Sequence, residues 1–134
     1  NELLDTSGWN MSWDWTAGSG VTIASDMLRW TRGLFGGEVV SMATLEQMMT
    51  PVPPSTEYGF GLDVSAGWAG FFGEKAISHS GANAGVYTLW FYFPESNRTI
   101  FVALNRMDFS DPPVVDSGEV MMKILSGIRD ILWN

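Results

Sequence analysis

Cysteine is absent from these 134 residues, histidine occurs once, and only 7 residues are basic against 15 acidic ones. The lack of cysteine removes disulfides, thiol nucleophiles and cysteine-ligated zinc together, and it is compatible with any compartment. A single imidazole without thiolates argues against a protein-built transition-metal centre, since such sites draw on two or more of those ligands. With a formal net charge of −8 there is no basic stripe for nucleic acid or for an anionic membrane surface. No apolar run approaches the roughly 20 residues of a membrane-crossing helix. No signal-peptide pattern is visible. The chain starts at Asn1 rather than Met, which points to cleavage or to part of a longer protein.

Apolar residues make up 46% of the sequence, with 7 Trp, 8 Phe and 3 Tyr, so the chain can build a core. Its length fits one domain. Residues 1–16 form an irregular, Trp-rich lead-in in which Trp9, Trp13 and Trp15 stand among small polar residues. The plain expectation is that these indoles pack on a neighbour; the sharper one is a sugar-stacking platform. Asn10-Met11-Ser12 and Asn97-Arg98-Thr99 fit the N-glycosylation pattern, which matters only in a eukaryotic secretory setting.

Thr22 is a candidate N-cap for a first helix, with Asp26 in its first turn. Ile23, Met27, Trp30 and Leu34 give that helix one apolar face, and Gly36-Gly37 end it. A shorter helix starts near Ser41, covers Thr44 to Met49 and stops at Pro51, Pro53 and Pro54. From Tyr58 the period changes to two: Tyr58, Phe60, Leu62 and Val64 alternate with Gly59, Gly61 and Asp63, the pattern of a half-buried strand. Gly67 to Phe72 and Lys75 to Ser78 read as a hairpin-like pair around Gly73.

The chain centres on Ile77-Ser78-His79-Ser80-Gly81-Ala82-Asn83-Ala84-Gly85 and the aromatic run Val86 to Phe93. A short apolar run stopped by Pro94 reads as a buried strand, preceded by a small-residue segment that carries the lone histidine. Thr99 to Leu104 is a further strand, in an antiparallel meander. After Asn105 the chain is polar and proline-bearing through Asp111-Pro112-Pro113. A terminal helix then carries Val120 or Met121, Ile124, Ile128 and Ile131 or Leu132 as its stripe. The class is α+β: an antiparallel sheet with helices packed on it.

Taken by themselves, His79 and Ser80 make a poor catalytic pair. Adjacent strand residues point to opposite faces, and Ser78-His79-Ser80-Gly81-Ala82 is not a Gly-x-Ser-x-Gly elbow. A lone histidine satisfied by a neighbouring carbonyl is the ordinary alternative. The pattern on both sides of it raises a second one. Gly18-Ser19-Gly20-Val21-Thr22-Ile23-Ala24-Ser25-Asp26-Met27-Leu28-Arg29-Trp30 resembles a glycine-bearing approach followed by an "STA-x-D-L-x-R-F" helix. Ser41 to Pro51 resembles "LSPETLxxMxTP", and Tyr58-Gly59-Phe60-Gly61-Leu62 resembles "YGYGW". His79-Ser80-Gly81 resembles the His-x-Gly form of a Lys-Thr-Gly motif; Phe93-Pro94-Glu95 and Val102-Ala103-Leu104-Asn105 resemble "YxPE…VVxLxN". In this order, over about Ala17 to Asn105, the landmarks resemble the C-terminal part of the serine β-lactamase and penicillin-binding-protein family. The branch is that of class C β-lactamases, D-alanyl-D-alanine carboxypeptidases, D-aminopeptidases and related esterases.

The resemblance implies a β-lactamase/DD-peptidase-like fold of which residues 1–134 form one partial domain. It implies a serine hydrolase acting by acyl transfer on β-lactam, D-amino acid peptide or ester bonds, with no cofactor and a periplasmic or extracellular location. It makes His79-Ser80-Gly81 one wall of the site. His79 would face the substrate carboxylate with a charge that depends on pH. Ser80 would hydrogen bond, Gly81 would admit the substrate backbone, the Ala82 N–H would be an oxyanion donor, and Asn83 would reach the substrate. No Ser here has Lys three positions later and no Tyr has Asn two later, so the family's Ser-x-x-Lys and Tyr-x-Asn elements are missing. The expectation is therefore a segment inactive alone, completed by the N-terminal part of the same domain or by another chain. Without it Thr99–Leu104 would be an apolar edge open to self-association. The competing expectation is a non-catalytic binding module with this fold, recognising cell-wall peptide.

Overall fold

The computed structural model describes residues 4–18, 20–107 and 116–133. Three antiparallel strands, β1 (Ile77–Asn83), β2 (Val86–Phe93) and β3 (Arg98–Leu104), lie in the order β1-β2-β3. Asn83 pairs with Val86 across a two-residue turn whose Gly85 has φ +77°, and Phe93 pairs with Arg98 across a four-residue turn. The antiparallel pairing of β2 and β3 is as the sequence predicts, because each is a short run closed by a turn signal, while β1 continues past the expected arm Lys75–Ser78 through the small-residue segment to Asn83.

Side chains alternate across this sheet, and both faces are apolar. Leu89, Phe91, Phe93 and Ile100 point to one side, where they meet Phe72, Met121 and Leu125. Ile77 and Trp90 point to the other, where they meet Leu34, Leu45 and Leu62. Helices supply both layers. α1 (Ala24–Phe35) and α2 (Met42–Met48) cover the Trp90 side; α3 (Ala66–Phe72) and α4 (Ser117–Leu132) cover the Phe91 side. The architecture is α+β, and no helix among the described residues is long and apolar enough to cross a membrane.

Local sequence accounts for most element ends. Ser41 caps α2 by accepting from the Thr44 N–H at 3.1 Å, and Asp116 caps α4 by accepting from the Glu119 N–H at 3.0 Å. Thr22 does not cap α1. The N-cap is Ile23, without a side-chain bond, while the Thr22 hydroxyl donates to the Ile23 carbonyl. Asp26 in the first turn pairs with Arg29 at 2.8 Å.

Two segments differ from their sequence patterns. Tyr58 to Val64 is not a strand. Gly61, at φ +73°, reverses the chain, the Gly59 N–H donates to Leu62 O, and only isolated bridges form, Tyr58 to Asp63 and Asp63 to Ser78. Gly59 lies so close to α2 that a Cβ would stand 2.1 Å from the Met48 carbonyl oxygen. The glycines that mimicked strand alternation mark a tight turn and a close approach. Residues 66–72 form α3 rather than one arm of a hairpin. Trp68, Phe71 and Phe72 stand at i, i+3 and i+4, so one helical turn sets all three rings against Phe91 or one another. Gly73 in the left-handed region then ends the helix.

The stripe of α4 is also rotated from its expected register. Met121 and Leu125 are buried and Ile128 packs beside them, whereas Ile124 is exposed and Ile131 is 81% exposed. Periodicity allowed either neighbouring row; contact with Phe72, Phe91 and Phe93 selects this one. A part-buried carboxylate closes the same layer. Glu74 accepts from the Ser96 hydroxyl at 2.8 Å, the Ser96 N–H at 3.2 Å and the Trp133 indole N–H at 2.6 Å. It thereby ties the end of α3 to the β2–β3 turn and to the end of α4. The stretch around Asp111-Pro112-Pro113 lies outside the described residues.

Candidate functional site

β1 is an edge strand of the sheet, and its outer side is open over the small residues that follow Ser78. Asp63 and Ser78 exchange both backbone hydrogen bonds, at 2.8 and 2.9 Å. The polar backbone groups of Ser78 therefore point away from β2. These directions alternate along an antiparallel strand, so the N–H and C=O of Ser80 and Ala82 point off the same open side. Among the described residues nothing bonds to them. A strand edge in this state can accept an extended ligand.

His79 has its backbone turned in toward Trp90 of β2 and its side chain on the α1–α2 face. Its Nε2 lies 2.8 Å from the Tyr58 hydroxyl, with the rings tilted 53° at a centroid separation of 5.9 Å. The histidine is thus satisfied by a phenol, not by a carbonyl. Sequence reading missed Tyr58 as a site residue because it placed it on a strand 21 positions away. The signal available was a polar-tipped aromatic beside a glycine turn.

Next to His79 opens an apolar groove of about 550 Å³, walled by Met27, Trp30, Phe60, Trp90 and Phe101, with Ser80 and Gly81 at its sheet side. Trp30 is 50% and Phe60 63% exposed. The expected apolar face of α1 is therefore only partly in the core: Leu34 is buried, Met27 half-buried, and Ile23 and Trp30 exposed. The groove floor is fixed by a polar contact that the sequence does not announce. The Trp90 indole donates to the buried Thr31 hydroxyl at 2.7 Å, and that hydroxyl donates to the Met27 carbonyl.

The remaining expected site residues divide. Gly81 has a reason within the sheet, since a Cβ would come to 2.9 Å from the Thr88 hydroxyl. Asn83 is held on both sides of its amide: its nitrogen donates to Asp14, and its oxygen accepts from the Ala84 N–H at 2.7 Å. The Thr6 hydroxyl donates to the Ala84 carbonyl at 3.2 Å, so the lead-in folds back on the β1–β2 turn. Within the lead-in, Met11–Ala17 makes 3₁₀ turns broken at Trp15, whose φ is +49°. Trp9 is 47% and Trp15 81% exposed, against the expectation of packed indoles; the Trp13 side chain lies outside the described residues. Among the described residues no group of three or more His, Cys, Asp or Glu could hold a metal ion.

Comparison with curated proteins and with solved structures gives no match. The family model described as Beta-lactamase matches residues 2–119. That span takes in α1, α2, α3 and all three strands, and it ends within the first turn of α4. It also takes in the Tyr58–His79 contact and the open edge of β1, and on that coverage the chain belongs to the beta-lactamase family.

Proposed function

We propose that this chain is the C-terminal segment of a serine hydrolase of the class C β-lactamase, D-Ala-D-Ala carboxypeptidase and esterase branch. It contributes one wall of the site to acyl transfer on β-lactam, D-amino acid peptide or ester substrates. The observation that carries this reading is the open side of β1, where the Ala82 N–H has no partner among the described residues, beside an exposed His79 and a groove of small-ligand size. The Ala82 N–H is one oxyanion donor, and a donor of that kind contributes on the order of 10²–10³ in rate. Ser80 offers backbone groups and a hydroxyl to an extended substrate. His79 faces its carboxylate or carbonyl oxygen, Gly81 admits its backbone against the strand, and Asn83 holds the strand's far end through Asp14 and Ala84.

The nucleophile comes from outside these 134 residues, from the N-terminal part of the same domain or from another chain, because no Ser-x-x-Lys occurs here. The family's periplasmic or extracellular setting belongs to this proposal. The test joins this chain to the residues encoded before it. The joined polypeptide is expected to take a fluorescent penicillin or a fluorophosphonate, with labelling slowed at least tenfold by His79→Ala. The chain alone is expected to take neither. Stoichiometric labelling of the chain alone would overturn the assignment of the nucleophile elsewhere.

The absence of that same motif favours a second reading, a binding module that retains the fold without the chemistry. It is supported instead if the chain alone binds cell-wall peptide saturably and no upstream Ser-x-x-Lys is encoded.

A further inference from the structure

Tyr58 contributes little to the core. It is 41% exposed, yet its backbone is held on three sides. Its N–H donates to the Ser55 hydroxyl at 2.9 Å, its carbonyl accepts from the Val52 N–H at 3.0 Å, and it bridges to Asp63. Asp63 is the residue that exchanges both backbone bonds with Ser78, the neighbour of His79 in β1. The loop turns at Gly61 and is pressed against α2 at Gly59, where only glycine fits. Phenol and imidazole are therefore carried on two pieces of backbone bonded through one residue pair, and their 2.8 Å contact is set by that frame.

The direction of this hydrogen bond follows from the two groups. A phenol O–H is a far stronger acid than a neutral imidazole N–H, and the unprotonated imidazole nitrogen is a far better acceptor than a phenol oxygen. The hydroxyl therefore donates to Nε2, and the ring proton must then reside on Nδ1, since the bond made by one nitrogen decides the state of the other. Among the described residues Nδ1 has no partner, and the His79 ring lines the groove.

We propose that Tyr58 is a positioning residue for His79. Its hydroxyl holds the neutral ring in the Nδ1–H tautomer and leaves that N–H as the donor presented to an acceptor oxygen of a ligand. The proposal rests on His79 being part of the wall of the ligand site, and it adds a selection by chemistry: with the ring neutral, His79 itself offers a donor and no acceptor.

Histidine occurs once in the chain, so its two ring nitrogens can be assigned by ¹⁵N NMR without ambiguity. At a pH above the imidazole titration the unsubstituted chain is expected to show a pyridine-type Nε2 and a pyrrole-type Nδ1. Tyr58→Phe is expected to move Nε2 toward the pyrrole-type position, because a released imidazole in water favours the Nε2–H tautomer. The Trp90 indole N–H, held by Thr31, reports on whether the variant is folded. A protonated Nε2 in the unsubstituted chain overturns the proposal, and that measurement needs no variant. So does an unchanged tautomer in folded Tyr58→Phe. Neither readout involves a substrate. A joined polypeptide without acyl-transfer activity would defeat the catalytic reading alone, and a wrong tautomer would defeat the positioning role alone.

Discussion

The two faces of the sheet have similar composition and opposite finish. On the α3–α4 face, Phe72, Phe91 and Phe93 are at most 2% exposed, and Glu74 bonds three donors across the layer's end. On the α1–α2 face, Trp90 and Leu34 are equally buried at the sheet, but Trp30 and Phe60 stand half-open over a groove. The difference lies in the ring volume each face carries. Trp68, Phe72 and Trp133 carry enough ring volume to fill the space above Phe91 and Phe93. On the other face, Phe35 stacks on Tyr92 at 3.9 Å and holds one end closed, while at the end beside His79 the half-exposed Trp30 and Phe60 wall the groove without closing it. One face is a core, and the other is a core at one end and an open groove at the other.

Substitutions can break this contrast. Phe91→Ala removes a ring from the filled face and is expected to cost about 3–5 kcal/mol, read from urea unfolding midpoints at unchanged slope. A loss below about 1 kcal/mol would mean that the layer is not closed. Glu74→Ala leaves the Ser96 and Trp133 donors without their acceptor and is expected to cost roughly 1.5–3 kcal/mol, with the Trp133 indole resonance shifted. Trp30→Ala on the open face is expected to stay within about 0.5 kcal/mol, as for other surface positions. A loss as large as that at Phe91 would show that the groove wall is core after all.

How legible these features were depended on the range of the forces behind them. β2 and β3 were visible because turn signals at Gly85 and Pro94 bracket runs of the right length, whereas β1 was read as an arm ending at Ser78 with a small-residue segment after it. α2 was visible from its start near Ser41 and the prolines that follow it, and α4 from its period. α3 was hidden: Gly67 and Gly70 obscure a helix that exists because three aromatic rings meet the sheet. The false strand at Tyr58 had the right period, but its glycines served a turn and a contact with Met48 that only folding creates. Of the site, His79, Ser80, Gly81 and Ala82 were readable as a motif. Tyr58, Thr31, Asp63 and Asp14 were not, because each reaches its partner across the fold.

The sequence by itself determined the α+β class, the antiparallel run of β2 and β3, the position of the lone imidazole in the small-residue segment before an aromatic strand, and the lack of a Ser-x-x-Lys nucleophile in this chain. These depend on composition, alternation and short-range turn chemistry, which a linear reading contains. Tertiary structure decided which row of α4 is buried, which face of the sheet stays open, and which hydroxyl meets His79. Those outcomes depend on how ring volumes fill the space between layers and on hydrogen bonds between residues far apart in the chain.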